Sequence, residues 1–252
     1  MTRNYVMLIA LAIMSISNGF SQKISDENKY EFGLRIAPNI SWVTPDSKSI
    51  DANGISLDWN YGFTVSRYIN ERYAFGTEIN VVNVTSKFKY DRVYLAKSDN
   101  SAKGFADDLS MTYNLRYLQI PILFKMRTNP INGGKLRVYG EFGMGLGLLI
   151  RSKIDVSSSV VKVDNMDAQN PDAADNFYIK ADITTDNNDA YEKKVSFFNP
   201  SFIIGGGIQY DLFSNTKVYT GLRYNGGLVD MLYEDKWAAT NSFTSLSFGI
   251  IF

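Results

Sequence analysis

Apolar and polar residues alternate with a period of two in eight separate segments, which is how strands with one apolar and one polar face read. The last segment is the clearest: Leu246, Phe248, Ile250 and Phe252 share one face, and Ser245, Ser247, Gly249 and Ile251 the other. Residues 217–225 set Val218, Thr220, Leu222 and Tyr224 against Lys217, Tyr219, Gly221, Arg223 and Asn225. Residues 198–210 and 137–149 repeat the pattern with a glycine-rich polar face. In the first half Phe32, Leu34 and Ile36 oppose Glu31, Gly33 and Arg35; Trp59, Tyr61, Phe63 and Val65 oppose Asp58, Asn60, Gly62 and Thr64. Tyr73, Phe75, Ile79 and Val81 oppose Ala74, Gly76, Glu78 and Asn80. The segment 117–126 alternates least cleanly, and Pro121 within it predicts a local break or bulge.

Eight amphipathic strands suit either a membrane barrel or a soluble lipocalin-like calyx, which differ in which face is apolar. The polar face here is Gly, Ser, Asn and Gln with isolated charges, not the Lys/Glu-rich face of a water-exposed sheet. Gly143, Gly145, Gly147, Gly205 and Gly207 suit the crowded interior of a narrow barrel. Tyr30, Trp42, Trp59, Tyr73, Tyr210 and Tyr224 stand near segment ends, where interfacial aromatic girdles belong. Connections alternate between short (70–72, 129–134, 212–215) and long (43–56, 88–110, 152–195, 227–241), as periplasmic turns and extracellular loops do. The expected fold is all-β: an eight-stranded antiparallel up-and-down transmembrane β-barrel with short periplasmic turns and long extracellular loops. Outer-membrane lipid is then its first partner.

The amino terminus agrees with that location. Arg3 precedes an apolar stretch, 5–16, that is too short to span a bilayer as a helix. Gly19 and Ser21 suit a signal-peptidase site, so residues 1–21 read as a cleaved signal peptide and 22–252 as one barrel domain.

Composition narrows the chemistry. The 252 residues carry 26 Lys+Arg against 26 Asp+Glu, with no His and no Cys. A neutral chain lacks the basic face that nucleic acid requires. Without His or Cys, the usual triads, thiol nucleophiles and zinc or haem sites have no residues to form them. No cofactor and no enzymatic activity are expected.

Two groups of residues remain as candidate sites. Arg35, Asp58, Glu78, Lys125, Glu141 and Arg223 all fall on the lumenal face, where they form a charge network serving as an electrostatic plug or as a gate. In the 152–195 loop, Asp182, Asp186, Asn188, Asp189 and Glu192 have an oxygen-rich spacing that would suit calcium, although no complete twelve-residue calcium loop is present. A solvated surface loop and an envelope-protein contact are the other readings of this segment.

Local motifs add a resemblance. Tyr117, Leu118, Gln119, Ile120, Pro121, Ile122, Leu123, Phe124 and Lys125 resemble the "YLEIPLLLK" strand of the PorT-like outer-membrane β-barrel family of Bacteroidota. Residues 139–145 resemble that family's next, glycine-rich strand, and 205–208 with 223–228 its penultimate pair. The terminal Phe252 resembles the carboxy-terminal aromatic through which barrel assembly machinery engages the last strand. The resemblance implies an outer-membrane barrel, associated with type IX-like protein secretion or another envelope assembly. A narrow pore for small solutes or ions, and a secreted lipocalin-like binder, are the competing readings.

Overall fold

The computed structural model describes residues 30–46, 51–96, 103–162, 178–179, 195–213, 216–232 and 238–252. Eight long strands run β1 (Tyr30–Pro45), β2 (Ser56–Tyr68), β3 (Tyr73–Ala96), β4 (Lys103–Arg127), β5 (Leu136–Lys162), β6 (Phe198–Asp211), β7 (Lys217–Gly227) and β8 (Ala239–Ile251). Each pairs antiparallel with its sequence neighbours, from Tyr68↔Ala74 between β2 and β3 to Ser242↔Gly226 between β7 and β8. β8 then pairs with β1, from Gly33↔Ile251 to Pro45↔Ala239, and closes the sheet into an up-and-down barrel. Closure satisfies the backbone groups that a sheet edge would otherwise expose to lipid. The segment 1–21, read as a signal peptide, lies outside the described residues.

Alternation sets which face is which, as the sequence pattern predicts. Phe32, Leu34, Ile79, Ile122, Phe142 and Phe248 point outward and are exposed, whereas Arg35, Asn39, Glu78, Gln119 and Arg223 point inward and are buried. An apolar exterior around a polar interior is a membrane barrel; a lipocalin calyx has the opposite polarity. Among the described residues no helix is long and apolar enough to cross a membrane. Tyr30, Tyr73 and Tyr210 ring the end that carries the short turns, and Trp42, Trp59 and Tyr224 the other, with Trp42 stacked on Tyr224 at 6.1 Å. At ~3.3 Å per residue and ~40° tilt, the rise from Tyr30 to Trp42 is about 30 Å along the barrel axis, the thickness of the hydrocarbon core.

Two of the long connections differ from the sequence reading. Residues 88–110 are not simply a loop, because β3 and β4 stay paired as far as Ala96↔Lys103. Likewise 152–195 begins as strand: β5 continues to Lys162, pairing with Gly104 of β4. Together β3, β4 and β5 project well past the aromatic girdle as a three-stranded extension. The break expected at Pro121 is present: the β3–β4 ladder is interrupted there, with Thr77↔Ile122 and Asn80↔Gln119 on either side still in one register. A true register shift falls between Arg116 and Tyr117, where Tyr117 faces Leu149 and Arg116 faces Arg151, so that Ile150 is the extra residue.

Above the membrane the polarity inverts. On β3 the outward residues become Asn83, Thr85 and Lys87, while inward Val82, Val84 and Phe88 are buried. They pack with Met111, Tyr113, Leu115 and Ile154 of the neighbouring strands and with Val195, Met231 and Leu232 of the loops. The barrel therefore carries its apolar core inside its extracellular mouth.

Candidate functional site

The lumen is filled in layers, each traceable to the parity of a strand. At the periplasmic end Glu31 is the hub. It accepts hydrogen bonds from Tyr68 Oη (2.9 Å) and Arg127 (2.9 Å) and pairs with Lys217. The Arg127 guanidinium lies 3.8 Å from the centroid of the Tyr68 ring, and its Nε donates to the Glu71 carbonyl (2.9 Å), which ties the cluster to the β2–β3 turn. A small cavity of about 40 Å³ opens here, lined among others by Glu31, Tyr68, Lys125, Glu141 and Arg223.

Higher up sits the main ionic layer. Arg223 donates from Nη1 and Nη2 to the two oxygens of Glu78 (2.7 and 2.8 Å) and from Nε to Glu141 (2.7 Å). One guanidinium from β7 thus bridges carboxylates on β3 and β5, a fork geometry that lysine cannot reproduce. Lys125, directly opposite Glu141 in the β4–β5 register, lies 3.7 Å from Glu78 and 4.0 Å from Glu141. Arg35 reaches no closer than 4.0 Å to Glu78 and is held by Ser245 (3.1 Å) and Ser247 (2.8 Å) instead. Asn80 Nδ2 donates to Glu78 (2.8 Å). Three cations therefore share two buried carboxylates. Above them lies a layer of amides and hydroxyls, including Gln119 Nε2 donating to Ser201 (3.1 Å), and then the apolar core.

Five of the six charges assigned to a network from the sequence meet in this layer; Asp58 does not. It is half-buried beside the upper part of β3, where its carboxylate accepts from the Thr85 amide (2.9 Å), the Thr85 hydroxyl (2.9 Å) and Ser41 (2.9 Å). The reason is a seam: β2–β3 pairing stops at Asn60↔Val82, and side chains of β1 and β2 take over the freed backbone groups of β3. Glu31, Arg127 and Lys217 form a charge cluster that the sequence reading missed. Glu31 and Lys217 already stand on the polar face in the sequence pattern, and carrying the alternation of 117–126 one residue further adds Arg127 on the parity of Lys125. Asp182, Asp186, Asn188, Asp189 and Glu192 lie outside the described residues. Among the described residues no group of three acidic side chains converges on a metal position. Phe252 is exposed, and its backbone exchanges hydrogen bonds with Phe32 (2.7 and 3.4 Å) at the closing seam.

A closed eight-stranded barrel with an apolar belt, two aromatic girdles and a packed polar lumen defines an outer-membrane β-barrel of the small class. Residues 20–233 match the family described as outer membrane protein beta-barrel domain, and the chain belongs to that family. No curated protein matches it in sequence. Among solved structures it is similar to Neisserial surface protein A (12% identity, TM-score 0.43, covering 89% of this chain and 96% of that one). It is also similar to OprG of Pseudomonas aeruginosa (11%, TM-score 0.40, 88% and 95%) and to Ail, the attachment invasion locus protein of Yersinia pestis (13%, TM-score 0.35, 89% and 99%).

Proposed function

We propose that this protein is a non-enzymatic scaffold of the outer membrane, a sealed barrel that anchors an extracellular platform for an envelope-protein partner. The observation that carries this reading is the filling of the lumen. An ionic layer with carboxylates bonded at 2.7–2.8 Å lies beneath an apolar core in which Phe88, Ile154 and Met231 are almost fully buried. Water and ions crossing such a barrel would have to break both layers, so a structural role is favoured over a pore. The strand extension of β3–β5 gives the partner a strand-paired surface in place of a bare loop.

The finer version of this proposal is a PorT-type subunit of a type IX-like secretion assembly in a Bacteroidota outer membrane, delivered through the leader at 1–21. It is supported by the likeness of residues 117–125 to that family's strand, and Gln119 and Lys125 of that segment face into the packed lumen. Planar-bilayer recording of the refolded chain tests the seal. A folded, heat-modifiable barrel without single-channel steps is the expected result. Steps that disappear on Arg223→Met would replace the scaffold with a pore. Affinity capture from the native envelope, with and without the residues beyond the girdle, tests the partner.

A further inference from the structure

The outer face of β3–β5 changes character along one line. Below it the exterior is apolar, with Leu118 and Ile120 on β4 and Leu148 and Ile150 on β5. Immediately above it stand Arg116 and Arg151, directly opposite one another in the register. Like charges facing each other across paired strands repel, so the pairing is unfavourable in itself. The extra residue Ile150 turns Arg151 outward; unbroken alternation from Leu149 would aim it into the barrel.

The pair is also prepared for a ligand. Arg116 donates from Nε to Asn83 Oδ1 (2.8 Å), and Asn83 Nδ2 in turn donates to the Trp59 carbonyl (2.5 Å). This holds the guanidinium by one edge and leaves its two terminal nitrogens without a protein partner among the described residues. Arg151 is exposed and has no ionic or hydrogen-bonding partner among them either. Lys153, the next outward residue of β5, is bound to Asp155 at 3.0 Å. The corresponding level on the opposite wall is neutral: Trp42, Thr44, Tyr224, Gly226 and Thr244.

We infer that Arg116 and Arg151 form a binding site for a phosphate group on the headgroup of an outer-leaflet glycolipid, whose acyl chains lie along Leu118, Ile120 and Ile150 below. Two planar forks at the boundary of the apolar belt match a phosphate anchored at that depth. An acidic protein would instead need charge complementarity further out, beyond the headgroups. This site is on the outer wall, independent of the lumenal reading above.

The test uses the full refolded chain in detergent micelles, titrated with bisphosphorylated lipid A and with the same lipid enzymatically dephosphorylated. The phosphorylated form is expected to bind more tightly, and R116Q/R151Q to weaken it by about tenfold or more, given the strength of charge-assisted bonds to phosphate. R151Q alone, which breaks no bond among the described residues, keeps the heat-modifiable fold and gives an intermediate loss. Equal binding of the two lipid forms, or unchanged binding by a folded double variant, overturns the site. Inorganic phosphate occupying the arginines with no preference for the lipid overturns it as well, as does an acidic protein that binds the pair while lipid A does not.

Discussion

Glu78→Leu is the most informative perturbation of the lumen. The carboxylate is 1% exposed and accepts from Arg223 twice (2.7 and 2.8 Å) and from Asn80 (2.8 Å), with Lys125 at 3.7 Å and Arg35 at 4.0 Å. Its removal leaves three cations around Glu141 alone. Breaking a buried pair so as to leave uncompensated charge costs about 3–5 kcal/mol, and the upper half of that range applies because two forked bonds are lost at once. Arg223→Met is the asymmetric partner. Lys125 still stands within 3.7 and 4.0 Å of the two carboxylates and Arg35 remains nearby, so a smaller loss of about 2–3 kcal/mol is expected. The double variant removes one charge of each sign and should cost less than the sum of the singles by about 2–3 kcal/mol. Reversible urea unfolding in phospholipid vesicles, followed by tryptophan emission, reads all three, because Trp42 and Trp59 sit at the girdle and change environment on leaving the membrane. Additive single effects, or a loss below about 1 kcal/mol for Glu78→Leu, would refute the claim that the ionic layer is a coupled plug.

Two further outcomes follow from the packing. Phe88, fully buried and edge-to-face with Tyr113 at 5.4 Å, anchors the apolar core of the mouth; Phe88→Ala should cost about 3–5 kcal/mol there and speed proteolysis beyond the girdle, while the membrane band keeps its heat-modifiable shift. Proteolysis at the wild-type rate would mean that this core does not hold the mouth closed. At Gly143 a methyl group would meet the β4 backbone at Ile122 C (2.9 Å) and Leu123 Cα (3.0 Å), so Gly143→Ala should lose about 1–3 kcal/mol through forced backbone movement, measured by the same urea titration. A neutral result would show that β4 and β5 have room to separate there.

How much of this was legible in the sequence depends on the range of the interaction. Period-two alternation is local, so the faces of Leu34 and Arg35, or of Ile122 and Leu123, could be read residue by residue. The same signal continues above the membrane with its phase reversed: Val82, Val84 and Phe88 are apolar on the parity that is polar at Glu78 and Asn80. That reversal lay in plain view, but 88–110 read as a loop because lysines and hydroxyls had moved to the outward face. The extra residue at Ile150 hid the same reversal on β5, where Ile154 keeps to the inside only because the count slips by one.

Alternation, loop lengths and the small residues of the polar face were enough to determine an outer-membrane barrel and the side of the sheet on which each lumenal charge stands, though not the side of Arg151, which the extra residue Ile150 turns outward. They could not determine which charges meet. Glu78 and Arg223 are 145 positions apart on strands that are not neighbours, and whether they share a height depends on the stagger accumulated around the closed sheet. Asp58 has the right parity and nearly the right neighbours, yet it serves a seam where β2 leaves β3. Side-chain direction is decided by each residue's own backbone; coincidence across the lumen is decided by shear, and shear exists only once β8 has paired with β1.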